Sequence, residues 1–260
     1  MKDILERIEE LKIVPVVKLE RTEDAVPLAK ALIAGGIPAA EVTFRTACAA
    51  EVIKEMTTAF PDMLVGAGTV LNAKQVDEAI EAGAKFIVSP GFDPDMVRHC
   101  LDKGIPVLPG CVTAGEVQQA ISMGLTLLKF FPAEQSGGLA AIKALSAPFG
   151  QIRWMPTGGI SVKNIKSYLA FPKIIACGGS YMVADKEINA KDWDKITEIC
   201  KDTIELIHGS QEAAIPAAPL DSEEKKEYDV VTMGEVLMRL SALPNRRICD
   251  GSAFSACIGG

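Results

Sequence analysis

Histidine is almost missing. The 260 residues include only His99 and His208, so a site built on three imidazoles is impossible. The seven cysteines (Cys48, Cys100, Cys111, Cys177, Cys200, Cys249 and Cys257) contain no C-x-x-C pair, which removes the zinc and dithiol motifs. Scattered singly through apolar stretches, they read as free thiols of a reducing cytoplasm rather than a disulfide framework. Long apolar runs are absent too: charged residues interrupt every stretch before about 18 residues, so no membrane span is expected. The opening MKDILERIEELK alternates charge with apolar residues and lacks the apolar region of a signal peptide. Positive charge is in deficit, with 27 Lys+Arg against 34 Asp+Glu and a net charge of −7, which disfavours a nucleic-acid partner. No Asp/Glu group has metal-loop spacing, so no metal is expected. An anionic ligand would need a local positive site to hold it against the overall field.

What is present is a repeating unit. Hydrophobic content of 48% with 23% charge belongs to a folded chain. Eight short β-branched or apolar runs recur: IVPVVKL (13–19), AAEVTF (39–44), LVGAGT (64–69), KFIVSPG (85–91), PVLPG (106–110), LLKFFPA (127–133), IRWMPTGG (152–159) and IIACGGS (174–180). They start 21 to 26 residues apart, and the segments between them, such as EDAVPLAKALIAGG (23–36) and AKQVDEAIEAGA (73–84), have helical periodicity. Several of these segments end in glycine, at Gly35, Gly83, Gly104 and Gly124, as helix C-termini do. Strand–helix alternation of this kind means βαβ units and parallel strands. Eight units predict an α/β fold of the (β/α)8 TIM-barrel type, with eight parallel strands. An open doubly wound sheet is the alternative, but the nearest dinucleotide fingerprint, Gly66-Ala67-Gly68, lacks its third glycine.

The barrel domain is expected over residues 1–209, ending in the amphipathic helix 192–209. The Ala-, Pro- and charge-rich stretch 210–227 reads as a flexible linker. Residues 228–260 resume a strand-like pattern but are too few to bury a core alone.

In such barrels the chemistry sits at the C-terminal ends of the strands. Side-chain alternation sends Glu41, Thr43 and Arg45 to the barrel axis and Val42 and Phe44 to the helices. On the sixth run it groups Leu127, Lys129 and Phe131 on one face and Leu128 and Phe130 on the other. Lysine is rarely buried without a role or partner, and burial disfavours its charged form, leaving an amine that attacks carbonyls. Lys129 is therefore either such a nucleophile or a strand-end lysine snorkelling to water. Glu41 and Arg45 are either a salt bridge across the barrel or a general acid/base beside a carboxylate clamp. Lys18 reads as a rim residue. The glycine pairs in Thr157-Gly158-Gly159 and Gly178-Gly179-Ser180 lie after runs seven and eight, the usual phosphate position, each turn expected to lead into a helix N-terminus. Turn geometry alone also explains them. Thr69 and Pro90 gain interest only as neighbours of Lys129 across the same mouth.

Taken together, EVTFRT, VGAGTVLN, FIVSPG, LPGCVT, LLKFFPAE, PTGGIS and CGGS, in that order, resemble the 2-keto-3-deoxy-6-phosphogluconate (KDPG) aldolase family, which also acts on 4-hydroxy-2-oxoglutarate (KHG). The resemblance covers about residues 1–208, with Phe44 where leucine is common. It implies a cytoplasmic class I aldolase, typically a homotrimer, that splits the phosphorylated keto acid to pyruvate and glyceraldehyde 3-phosphate without a cofactor. By the same resemblance Lys129 forms the Schiff base and Glu41 shuttles the proton. Arg45 binds the carboxylate with Thr69, and Pro90 and Phe131 line the pocket. Thr157 lies near the substrate stereocentre, and Gly158, Gly159, Gly179 and Ser180 take the phosphate. The segment DVVTMGEVLMRL resembles the opening of a ribokinase-like 2-keto-3-deoxygluconate kinase, so residues 228–260 are expected to be a truncated kinase start, without kinase activity. Three other readings stay open: the galactonate-derived epimer as main substrate, a phosphosugar isomerase or epimerase on the same barrel, and a tail that serves only for association.

Overall fold

All eight apolar runs form strands, and the periodic segments between them form helices. The chain opens with α1 (Ile4–Leu11), β1 (Ile13–Val17), α2 (Ala25–Ala34), β2 (Ala39–Thr43), α3 (Ala49–Ala59) and β3 (Leu64–Gly68). It continues through α4 (Ala73–Glu81), β4 (Ile87–Val88), α5 (Pro94–Asp102), β5 (Val107–Leu108), α6 (Ala114–Ser122) and β6 (Leu127–Phe130). Then come α7 (Gly138–Ser146), β7 (Arg153–Pro156), α8 (Ile165–Leu169), β8 (Cys177–Gly179), α9 (Asp185–Ala190) and α10 (Trp193–His208). The structure is a computed structural model that describes residues 4–209, 229–233, 236–242 and 254–258. It divides into two units, Met1–Ala213 and Ala214–Gly260.

Helix ends follow local chemistry. The side chains of Asn72, Asp93, Thr113 and Asp192 accept backbone N–H groups at the starts of α4, α5, α6 and α10, and Glu116 returns the bond to Thr113. At the other ends Gly83, Gly104 and Gly124 take left-handed backbone, with φ of 94°, 69° and 83°. Gly35 departs from expectation: it stays right-handed, and Gly36 takes the left-handed turn at φ 84°.

The first unit is an α/β fold whose parallel strands form a curled half-barrel sheet. Six strands run in the order β5-β4-β3-β2-β1-β8, and β6 and β7 pair separately. The single eight-stranded sheet expected from the repeat is thus divided in its ladders. Strand length is the physical reason: at the two seams β5 has two residues and β8 three, which leaves room for little pairing. There the contacts are single parallel bridges, Gly110 with Lys129, Trp154 with Ile174 and Thr157 with Gly178.

Two cores flank the strands. The outward residues, among them Val17, Val42, Leu128, Phe130 and Trp154, pack in one cluster with the helices. Phe130 meets Trp154 edge to face at 5.9 Å, and Trp154 Nε1 donates to Ser146 Oγ in α7. This packing fixes the outer face of β6, so alternation turns Lys129 inward. The second cluster gathers Val14, Ala39, Leu64, Phe86, Leu108, Leu127 and Met155 with Ile8 of α1. Ala39, Leu64 and Leu127 open their strands and Val14 is second in β1, so α1 covers the end away from the polar residues.

In the second unit β9 (Asp229–Met233), β10 (Val236–Ala242) and β11 (Phe254–Ile258) form an antiparallel sheet in the order β11-β10-β9. Met238 pairs with Val231 on one side and Ile258 on the other. The expected linker, 210–227, and the final Gly259 and Gly260 lie outside the described residues.

Candidate active site

Burying Lys129 and Glu41 far from water would be costly for either alone, and the fold brings them together across 88 residues of sequence. Lys129 Nζ lies 3.0 Å from Glu41 Oε1, with the side chains 5% and 0% exposed. The room for Glu41 comes from Gly68 on β3, the register partner of Thr43: a Cβ on Gly68 would stand 2.4 Å from Oε1. Lys129 Nζ also lies 5.1 Å from the centre of the Phe131 ring. Glu41 Oε2 is buried and has no hydrogen-bond partner, and the same holds for Thr157 Oγ1.

These groups line a cavity of about 240 Å³ at the C-terminal ends of the strands. Every residue that the sequence marked for the site borders it. Glu41, Lys129, Thr69, Pro90 and Phe131 do so from β2, β6 and the ends of β3, β4 and β6. Arg45 stands at the exposed rim, and Thr157, Gly158, Gly159, Gly179 and Ser180 form the wall after β7 and β8. Among the described residues no carboxylate pairs with Arg45; its Nε donates to Thr43 Oγ1 at 3.1 Å. Thr43 in turn donates to Val17 O at 2.9 Å, which ties the guanidinium stem to β1. Thr43 was assigned no role from sequence, although its inward position on β2 was readable. Gly178, the first glycine of the second pair, lines the cavity too, and Val16 and Ile160 do so without a sequence signal.

Thr69 sits at φ 55°, a left-handed conformation that costs a β-branched residue about 1–2 kcal/mol. Its flanks are strapped: Phe44 N donates to Gly68 O, and Val70 N to Val88 O. Strain held by its surroundings is typical of ligand-binding positions. The glycine turns differ from the expected strand-to-helix form. After β8 comes a three-residue 3-10 turn, Tyr181–Val183, and after β7 the five-residue α8 starts only at Ile165. Instead, the loop itself is shaped, with Gly158 and Gly159 at φ 96° and 79°. The Gly158 amide faces Gly178 at the parallel bridge of Thr157 with that residue, and among the described residues no backbone acceptor takes the amides of Gly159 and Ile160. Behind the wall, burial holds the Cys177 thiol up at about 12, so it is a packing group at neutral pH.

No group of three or more His, Cys, Asp or Glu side chains converges on a metal position among the described residues. No helix among them is long and apolar enough to cross a membrane.

An amine and a carboxylate buried together, with a guanidinium at the rim that no carboxylate pairs with among the described residues, are groups suited to chemistry on a carbonyl compound. The family model for KDPG and KHG aldolase matches residues 4–199, and the chain belongs to that family. It is 48% identical over 207 residues to the 2-dehydro-3-deoxy-phosphogluconate aldolase of Treponema pallidum, across 80% of this chain and 99% of the relative. The KDPG aldolase of Legionella pneumophila, solved with pyruvate captured at low pH as a covalent carbinolamine intermediate, superposes with a TM-score of 0.75. Its identity is 38%, over 77% of this chain and 98% of that one. The Zymomonas mobilis enzyme, solved with 3-phosphoglycerate, gives a TM-score of 0.72 and 43% identity, over 76% and 93% of the two chains.

Proposed function

We propose that this protein is a class I aldolase that cleaves KDPG to pyruvate and glyceraldehyde 3-phosphate, with Lys129 as the Schiff-base nucleophile. The observation that carries the reading is the buried Lys129–Glu41 contact of 3.0 Å at the base of the cavity. Glu41 takes a proton from Lys129, and the free amine attacks the C2 carbonyl of the substrate. Glu41 returns its proton to the carbinolamine hydroxyl, which leaves as water, giving an iminium and restoring the carboxylate. As the C3–C4 bond breaks, its electron pair moves to the iminium nitrogen and forms an enamine. Glu41 takes the C4 hydroxyl proton in the same step, directly or through a water, and the aldehyde leaves. A proton then adds to C3, and water hydrolyses the iminium to release pyruvate and restore Lys129.

The other residues divide between the two ends of the substrate. Arg45, without a carboxylate partner among the described residues, binds the C1 carboxylate together with Thr69. Pro90 and Phe131 pack on the methylene carbons. The unpartnered hydroxyl of Thr157 faces the C4 region, and the Gly158–Gly159 turn, with the free amides of Gly159 and Ile160 and with Gly179 and Ser180, receives the phosphate. KHG shares the pyruvate half and is the second substrate of this reading. The architecture consistent with it is a (β/α)8 barrel closed by the single bridges at the two seams. Residues 1–209 form the aldolase domain, since all the cavity residues lie between Val16 and Ser180. The chain works as a cytoplasmic homotrimer, and residues 228–260, with their kinase-like opening, supply none of the described residues that line the cavity.

Borohydride reduction in the presence of pyruvate tests the mechanism. The expected result is one pyruvate-derived mass addition on the Lys129 peptide, with turnover indifferent to EDTA. No addition there, or loss of activity with EDTA, overturns it and favours an isomerase or metal-assisted route. Turnover on the gluconate- and galactonate-derived epimers reads the preference at C4.

A further inference from the structure

Asn164 precedes α8 at the position where asparagine commonly caps a helix, yet its side chain makes no capping bond. It reaches back into the loop instead. Asn164 Nδ2 donates to Gly159 O at 2.9 Å, and Asn164 Oδ1 accepts from Ser161 N at 2.8 Å. One amide side chain thus clasps both ends of the Gly159–Ser161 turn. The neighbouring carbonyls are held as well: Thr157 O accepts from Ala133 N, and Gly158 O from Glu134 N. In a trans peptide the carbonyl of one residue and the N–H of the next point in opposite directions. Holding the carbonyls of Gly158 and Gly159 therefore turns the amides of Gly159 and Ile160 the other way, and both residues line the cavity. Two successive left-handed glycines leave this orientation weakly set by the backbone alone. The first two peptides are tied by main chain; the third depends on Asn164.

We propose that Asn164 is a positioning residue that sets the selectivity of the site for a phosphorylated over an unphosphorylated keto acid. It does so by holding the Gly159–Ile160 peptide with its amide toward the anion. This rests on the reading that the glycine turn receives the phosphate. A side chain that only supported the fold would affect both substrates alike, whereas a loop-orienting one affects only the substrate that carries the anion.

The test compares kcat/KM for KDPG with that for unphosphorylated 2-keto-3-deoxygluconate, in the full-length wild type, Asn164→Ala and Asn164→Asp. Asn164→Asp keeps the acceptor for Ser161 N and loses the donor to Gly159 O, so it separates the two bonds with little change of shape. Both variants are expected to lose about tenfold in the phosphorylated-to-unphosphorylated ratio, mostly through KM for KDPG. Activity on the unphosphorylated acid and the yield of the borohydride-trapped pyruvate adduct should match the wild type. An unchanged ratio in Asn164→Asp, or an equal fall on both substrates, overturns the proposal. A wild-type ratio near one overturns the phosphate reading itself, and the role of Asn164 with it, before any variant is compared.

Discussion

Lys129 and Glu41 are each other's counter-charge in a place that water hardly reaches. Breaking such a pair leaves one charge uncompensated, at a cost of about 3–5 kcal/mol, while replacing both partners with neutral groups costs far less. Lys129→Met is therefore expected to abolish turnover and lower stability by about 3 kcal/mol. The double variant Lys129→Met/Glu41→Gln should remain inactive yet recover most of that loss, as read from urea midpoints. If the double variant is as unstable as the sum of the single ones, the two side chains do not act as a pair. At this scale the sequence was informative where one rule sufficed: a period of two turned Glu41, Thr43 and Arg45 inward together. It said nothing of Thr43 holding Arg45, or of Asn164 turning from its helix to the glycine loop. Those bonds depend on how segments meet, and the local pattern of either segment reads equally well as a plain strand or a plain cap.

β3 shows how one element serves two neighbours through glycine. A Cβ on Gly66 would lie 2.4 Å from the ring of Phe86, which is fully buried in the inner cluster. A Cβ on Gly68, two residues on and facing the same way, would meet Glu41 instead. The two alanine substitutions should therefore fail differently. Gly66→Ala overpacks the core and is expected to cost about 1–3 kcal/mol while folded molecules keep their kcat. Gly68→Ala displaces the carboxylate and should lower kcat about a hundredfold, the scale of a misplaced catalytic group. Thermal melts and kcat per folded molecule separate them, and equal kcat values for the two would contradict this division. All eight strands were legible as β-branched runs between periodic helices. The split into six and two strands was not, because a two-residue strand such as β5 carries no readable pairing length. The sealing role of α1 was hidden as well: its alternation of charge and apolar residues identifies a helix, not the strand end it covers.

Across the whole first unit the scattered cysteines act together through burial. Cys100, Cys111, Cys177 and Cys200 are each pushed up from 9.0 to about 12 by loss of water contact. The unfolded chain releases these protons at a lower pH than the folded one does. Their contribution to stability is thus complete below about pH 9 and is lost as pH rises towards 12. Lys18, Lys103 and Lys195, each raised by a carboxylate partner, act in the same direction above their ordinary 10.5, although exposure keeps that effect small. Urea midpoints should accordingly hold steady from pH 7 to 9 and decline between pH 9 and 11. Cys100→Ala/Cys200→Ala should flatten the decline, since two of the four titrating groups are gone, even if the cavities lower stability at every pH. A midpoint unchanged between pH 9 and 11 in the wild type would mean that the thiols are wetter than their packing implies. The same burial predicts that, of these four and Cys48, only half-buried Cys48 is alkylated in the folded protein at pH 8, which peptide mapping after iodoacetamide would read. Among the described residues, the histidine-poor, cysteine-scattered composition thus leads to four buried thiols that pack the core and to one buried lysine amine, Lys129, paired with a carboxylate at the base of the cavity.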